Sequence, residues 1–289
     1  MRRETDSIPA LTVMKGYLSL MRPLNAMVTV LAILSVGILA TGTWWSSTAM
    51  LLAAVSAALI GSAGNIINDV FDRGIDRINK PRRAIASGMV SPGAGMVWAA
   101  ICGLVGVLLG SILGPGAFAI ALGSVLLLFL YSAMLKRIPI VGNLVVGLVT
   151  GAAFLYGGVA AGAPFAGVVP AFFACAVNIG REIIKDVEDM PGDQAGGHRT
   201  LPLLIGAQPS LRLAGILLFA TAVATVLPWT LRQFTFWYLP LVFLVDALIL
   251  AAVLPLTRTT EPAVLRRSSI LLKLGMVAGI VAFTAGSLR

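Results

Sequence analysis

The chain has 289 residues, 58% of them hydrophobic and only 11% charged, with a mean hydropathy of +0.96. Water-soluble globular proteins carry about a quarter charged residues, so this composition excludes one and requires a polytopic membrane protein. The net charge of +9 does not call for nucleic acid, because the basic residues collect in loops between apolar runs.

The segment from Met1 to Arg22 is polar and basic, with no cleavage site before the first long apolar run, and reads as retained rather than as a removable signal peptide. Stretches apolar enough to cross about 30 Å of hydrocarbon follow near residues 24–42, 49–67, 94–113, 116–135, 141–161, 164–183, 211–229, 235–255 and 269–287. Gly114-Pro115-Gly116 is a tight reversal that makes the third and fourth spans antiparallel neighbours. Lys273 intrudes into the first turn of the ninth. Cys102 and Cys175 lie inside apolar runs and read as buried thiols rather than a disulfide or metal pair. The expected fold is all-α, a single membrane-embedded domain over residues 1–289 built as a bundle of about nine transmembrane helices.

Nine spans put the termini on opposite sides of the membrane. With the N-terminus inside, 19 of the 21 lysines and arginines fall on the cytoplasmic side, and only Arg232 and Arg289 fall outside, which sets the orientation. Trp44, Trp45, Trp229 and Trp237 then mark the outer boundary. Of twelve acidic residues, eight lie in two cytoplasmic clusters: Asp69, Asp72 and Asp76 after the second span, and Glu182, Asp186, Glu188, Asp189 and Asp193 after the sixth. Four spans separate them, hinting at a duplicated unit with the acidic element after the second helix of each copy. Asp246 is the one acid deep in a span, and a structural role is expected for it.

Asn68, Asp72 and Asp76 are four residues apart and would stack along one helix face; Asp189 and Asp193 repeat the spacing, with Asp186 a turn earlier. One such ladder at the end of a membrane helix is ordinarily a solvated face. Two, each beside lysines and arginines, point to a shared anionic ligand. All-oxygen donors select Mg²⁺ over zinc or copper, and Mg²⁺ fills its remaining positions with water and phosphate oxygens. No D-x-D-x-D-G loop supports calcium. Facing clusters of this kind suit a diphosphate, with Arg73, Arg77, Lys80, Arg82, Arg83, Lys136, Arg137, Lys185 and Arg199 nearby.

The run Asn68-Asp69-x-x-Asp72-x-x-x-Asp76, continuing to Gly88, resembles the first aspartate-rich motif of the UbiA-type intramembrane prenyltransferases. Asp189-x-x-x-Asp193 followed by Gly197-His198-Arg199-Thr200-Leu201-Pro202 is similar to the second. Tyr131 to Arg137 and Arg22-Pro23-Leu24-Asn25 are similar to two shorter signatures, so the resemblance spans essentially the whole chain. Ala84 and Ala86 stand where members often carry prolines, an expected loosening of that loop. Arg181 to Asp189 and the short polar ends are most similar to the archaeal ether-lipid branch of the family.

The resemblance implies a central cavity capped by cytoplasmic loops, in which Mg²⁺ holds a prenyl diphosphate whose departure leaves an allylic cation for an acceptor to capture. It implies Asn68, Asp72 and Asp76 on one metal and Asp189 and Asp193 on another, with Asp186 as a further ligand or a supporting carboxylate. Lys136, Lys185 and Arg199 would neutralise the diphosphate, Arg77 and Arg82 would close over it, and Arg137 would add charge. Asp72, Asp76, Asp189, Asp193 and Lys136 are the expected catalytic set; Arg22, Asn25 and Tyr131 are expected at the acceptor. For the archaeal branch the donor is geranylgeranyl diphosphate and the acceptor the hydroxyl of a lipid-like phosphate, geranylgeranylglyceryl phosphate. No protein partner is implied, and the expected location is the cell membrane. Aromatic acceptors (hydroxybenzoate, dihydroxynaphthoate, homogentisate) and the tetrapyrroles chlorophyllide and haem remain open by the same chemistry. An ion-coupled transporter is the distant alternative, and the D-G-x-x-A-R signature of a membrane alcohol phosphotransferase is absent.

Overall fold

A computed structural model describes residues 10–43 and 47–288. Arg2, Arg3, Trp44, Trp45 and Arg289 lie outside the described residues. In chain order the helices are α1 (Ala10–Leu20), α2 (Pro23–Thr41), α3 (Thr48–Phe71), α4 (Arg73–Asn79), α5 (Pro92–Ile112), α6 (Pro115–Ala133), α7 (Val141–Ala160), α8 (Val168–Ala195), α9 (Leu201–Ile205), α10 (Ala207–Ala224), α11 (Leu227–Thr230), α12 (Tyr238–Val253) and α13 (Pro262–Ser287). Among the described residues there is no strand. Among the described residues nine helical segments are long and apolar enough to cross a membrane, α8 together with the short turn before it, α10 with α11, and α12 with the turn after it.

Local chemistry sets the helix ends. Ser47 and Ser91 cap α3 and α5, accepting from the backbone N–H of Met50 and Ala94 at 3.3 and 3.2 Å. Prolines open α2, α5, α6 and α13, where a missing N–H costs nothing. Gly114, at φ 108°, makes the α5–α6 reversal in a conformation that a side chain would strain. The ninth helix begins at Pro262, seven residues before the apolar run, so Lys273 sits in its fourth turn rather than its first.

Helices α3, α5, α6 and α7 pack as one group and α8, α10, α12 and α13 as another, with α2 against α3, α7 and α13. α2 packs on α3 as α7 packs on α8, so each acidic segment follows the second helix of a packed pair. The seam between groups is α7 on α8. There Gly151 packs so closely that a Cβ would stand 2.8 Å from the Ala171 carbonyl oxygen, and one at Gly147 would stand 3.0 Å from that of Cys175. Small residues are what bring backbones into contact where water supplies no drive. At the opposite end from the acidic clusters, the backbone N–H of Thr235 donates to Gly286 at 2.8 Å, and Trp229 and Trp237 are exposed.

Asp246 faces Thr225, whose hydroxyl donates to it at 3.1 Å, while the Tyr238 hydroxyl donates to the Thr225 carbonyl at 2.8 Å. This network ties α10 to α12; Thr225 and Tyr238 line the central cavity, and Asp246 stands behind them, outside its lining.

Candidate active site

α3 and α8 contain 24 and 28 residues, whereas about 20 suffice to cross hydrocarbon. The surplus of each carries its acids past the apolar run. The first ladder is not one helix face: α3 stops at Asp72 (φ −87°, ψ 7°) and α4 restarts at Arg73. The break is local, because the Asp72 N–H still donates to Asn68 and the Asp76 N–H to Asp72, at 2.8 and 2.7 Å. It swings Asp76 while leaving Asn68, Asp72 and Asp76 along one cavity. On α8, Glu182, Asp186, Asp189 and Asp193 follow a 4-3-4 spacing and share a face of an unbroken helix.

The clusters meet. The Lys80 ammonium donates to both oxygens of Asp189 at 2.7 and 2.5 Å, crossing from the end of α4 to α8. Asn79 doubles the crossing: its Nδ2 donates to the Asp189 carbonyl at 2.9 Å, and the Gly192 N–H donates to its Oδ1 at 3.1 Å. Asp76 and Asp193, both buried, line the same cavity. Arg83 reaches back from the following loop to Asp76 at 2.7 Å and Asp69 at 3.0 Å, and Arg22 joins Asp69 at 2.6 Å. That loop is not loose. Ala84 and Ile85 are buried against the core around Ile66 and Ile67, and Ala86 is buried beside them, so packing does what prolines would have done.

Burial lifts the Asp76 carboxyl above its ordinary range, and Arg83 only partly offsets it. Burial disfavours the charge on Arg83, but Asp69 and Asp76 more than compensate, so its guanidinium is held more firmly protonated than usual. On the facing helices the Lys136 ammonium is paired with Asp72, Asn68 donates to Asp72 at 2.7 Å, and Asn143 donates to Asp186 at 2.7 Å. Lys185 donates to Glu182 at 2.8 Å, and His198 Nδ1 stands 3.5 Å from Asp193. Tyr131 lines the cavity among Glu182, Asp186, Asp72 and Asp193.

Among the described residues no three acidic, His or Cys side chains close into a ready-made metal site. Each outer carboxylate instead faces a side-chain cation: Asp72 faces Lys136, Asp76 faces Arg83 and Asp189 faces Lys80. The donors nevertheless fit Mg²⁺. They are all oxygen, and Mg²⁺ asks for only one or two carboxylates when phosphate and water complete its shell. A lysine displaced from Asp189 or Asp72 would be free to meet the phosphate that arrives with the metal.

The cavity below has a volume of about 740 Å³. Its walls are apolar on two sides. One comes from α3, α6 and α7, where Ala57, Gly61, Ala121 and Ala153 keep it open, and the other from α8, α12 and α13 with Val242, Val245, Gly279 and Phe283. A long isoprenoid tail suits such walls, since each buried CH₂ contributes about 0.8 kcal/mol.

Asn68, Asp72, Asp76, Asp186, Asp189, Asp193, Lys136, Lys185, Arg22, Asn25 and Tyr131 all line this cavity; Arg77, Arg82, Arg137 and Arg199 are exposed and do not. The reason is direction. Arg77 follows Asp76 on a helix and so points about 100° away from it. Arg199 lies in an extended stretch whose neighbours His198 and Thr200 face inward, and alternation turns it out. Arg82 precedes the inward Arg83, and Arg137 follows the inward Lys136. Lys80 and Arg83 hold the places expected for Arg77 and Arg82. Asn178, Arg181, Glu182 and Lys273 also line the cavity without having been assigned roles from the sequence. Their signal was a polar group within an apolar span, which the bilayer tolerates mainly at working sites.

The profile of the UbiA prenyltransferase family matches residues 26–276. A digeranylgeranylglyceryl phosphate synthase of Natronomonas pharaonis is 39% identical over 275 residues, 95% of this chain and 97% of the relative. A solved structure of a digeranylgeranylglyceryl phosphate synthase superposes with a TM-score of 0.73 at 31% identity, covering 96% of this chain and 99% of that one. A UbiA homologue from Archaeoglobus fulgidus, bound to GPP and Mg²⁺, shares the fold with a TM-score of 0.59 at 17% identity, covering 93% and 99%.

Proposed function

The chain belongs to the UbiA prenyltransferase family, and from that premise we propose that it transfers a geranylgeranyl group from its diphosphate to the hydroxyl of geranylgeranylglyceryl phosphate, a step of archaeal-type ether lipid synthesis. The single observation that carries the reading is the Lys80–Asp189 bridge, which brings the two acidic segments, more than a hundred residues apart, to one cavity mouth. The similarity to digeranylgeranylglyceryl phosphate synthases over nearly the full chain favours the glycerol ether acceptor over aromatic or tetrapyrrole ones.

Asn68, Asp72 and Asp76 on one side, and Asp189 and Asp193 on the other, would hold Mg²⁺, with Asp186 supporting from beside Asn143. Bound there, Mg²⁺ supplies Lewis-acid neutralisation of the diphosphate. Lys136, Lys80 and Arg83 add charge to the same leaving group, Lys136 and Lys80 by exchanging their carboxylate partners for phosphate oxygens. Lys185, paired with Glu182, sits on the inner side of that group. The bond between the prenyl C1 and the diphosphate oxygen breaks, the diphosphate takes the electron pair, and the acceptor oxygen bonds to C1 and gives up its proton. The apolar walls keep water from the allylic cation. His198 packs against Asp193 and is given no role as base.

The acidic end is assigned to the cytoplasmic side of the cell membrane, because lysine and arginine gather there 19 to 2. Incubating the purified protein and Mg²⁺ with geranylgeranyl diphosphate and, in parallel, geranylgeranylglyceryl phosphate, 4-hydroxybenzoate and haem tests the assignment. Product with the glyceryl phosphate alone is expected; turnover with an aromatic or tetrapyrrole acceptor instead would overturn it.

A further inference from the structure

Below the level of the carboxylates the cavity carries a second group of cations that the metal-held diphosphate does not use. Arg181 and Lys185 precede Asp189 on α8 by eight and four residues, placing them about 12 and 6 Å deeper along the helix. Arg22 and Asn25 enter at the start of α2 and Lys273 from the fourth turn of α13, and all five line the cavity. Lys273 meets Asn25, three residues after Arg22, and Arg181 and Lys185 meet at Glu182.

Their own counter-charges are too few. Glu182 serves both Arg181 and Lys185. Asp69 serves Arg22 but also Arg83. Lys273 makes no ion pair with a described residue, its ammonium donating to the Asn25 amide oxygen. Arg181 spends one nitrogen on Glu182, and its Nε is buried without a partner. Arg22 is held at φ 50° and ψ 70° directly before Pro23, a left-handed conformation that persists where the surroundings enforce it. Unneutralised cations at this depth are disfavoured, yet here they converge on an open space rather than reaching for the surface.

We propose that Arg22, Arg181 and Lys273, with Asn25, form a metal-independent anion site for the phosphate of the acceptor lipid, distinct from the diphosphate site between the two acidic segments. A phosphomonoester matches the free arginine Nε and the ammonium. The lack of a spare carboxylate gives Mg²⁺ no protein ligand there. The proposal deepens the function proposed above and rests on it for the identity of the ligand. The site would give the enzyme two separate anion holders, fixing the acceptor's phosphate so that its hydroxyl faces C1 of the donor.

The test uses the full chain in nanodiscs and the variants Lys273→Met, Lys273→Arg and Arg181→Gln. With geranylgeranyl diphosphate as donor, K273M is expected to raise the KM for geranylgeranylglyceryl phosphate at least tenfold while the KM for the donor stays within about twofold. It should also shrink the preference for that acceptor over unphosphorylated geranylgeranylglycerol, and K273R should restore most of it. A rise in the donor KM instead, or an unchanged acceptor preference, would overturn the site. A second arm separates this claim from the reaction assigned above: calorimetric binding of dodecyl phosphate in EDTA, without donor. Tenfold weaker binding by both K273M and R181Q supports the site whichever acceptor is turned over; binding equal to the parent overturns it even if the reaction is as proposed.

Discussion

Gly192 is the position where one added carbon most sharply tests whether the two acidic segments act as a unit. It is buried on α8 against Asn79, and a Cβ there would stand 2.4 Å from Nδ2, 2.6 Å from Cγ and 2.8 Å from Oδ1 of that amide. Gly192→Ala must therefore expel Asn79, with loss of its bonds to the Asp189 carbonyl and the Gly192 N–H. Two such bonds are worth about 0.5–1.5 kcal/mol each, or about 1–3 kcal/mol together, which corresponds to a shift of about 5–150-fold in the docking of α4 on α8. A fall of that size in kcat/KM for prenyl transfer is expected in nanodisc assays. Gly93→Ala, which adds its carbon into open space, should stay near the parent. Because Asn79→Ala removes the clashing amide, the double variant should be no worse than N79A alone. G192A at parental kcat/KM, or strictly additive losses in the double variant, would refute the reasoning.

Alanine at Asp72 or Asp189 should lower turnover by at least a thousandfold while thermal unfolding in detergent still shows a cooperative transition. Chelation with EDTA should abolish transfer and added Mg²⁺ restore it, assayed by product chromatography. Lys80→Met leaves Asp189 without its cation; its melting temperature in EDTA should fall, and Mg²⁺ should raise it by more than it raises the parent's. Asp69→Ala leaves Arg22 without a carboxylate and Arg83 with Asp76 alone, and removing one partner of a buried pair costs about 3–5 kcal/mol, so a melting temperature lowered by several degrees is expected, with unchanged far-ultraviolet dichroism at 20 °C. Asp246→Asn can still accept the Thr225 hydroxyl, and activity within twofold of the parent is expected.

Much of the architecture was legible because the bilayer writes it in long apolar runs. The nine spans and the acidic segments at corresponding ends needed only length, hydropathy and charge. The break at Asp72 was not legible: the four-residue spacing of Asn68, Asp72 and Asp76 satisfies a continuous helix equally well, and nothing local but Gly74 warns of it. The cations were read half correctly. Lys136 and Lys185 face inward, but in the loops after Asn79 and Gly197 the side chain that turns in depends on packing, such as the burial of Ala84 and Ile85 that aims Arg83 back at Asp76. Lys273 was visible as a charge inside a span, where it looked like a flaw in the helix; its partner Asn25 lies 248 positions away, and only the folded chain joins them.

The account depends on both acidic segments gripping one diphosphate. Soaking crystals with Mn²⁺ and a non-hydrolysable geranylgeranyl diphosphate analogue, and locating the metal by anomalous scattering, tests this most directly. Metal bound from Asp72 and Asp76 on one side of the diphosphate and from Asp189 and Asp193 on the other is the predicted result. A diphosphate held by only one segment, with the other still closed on its lysine, would contradict it.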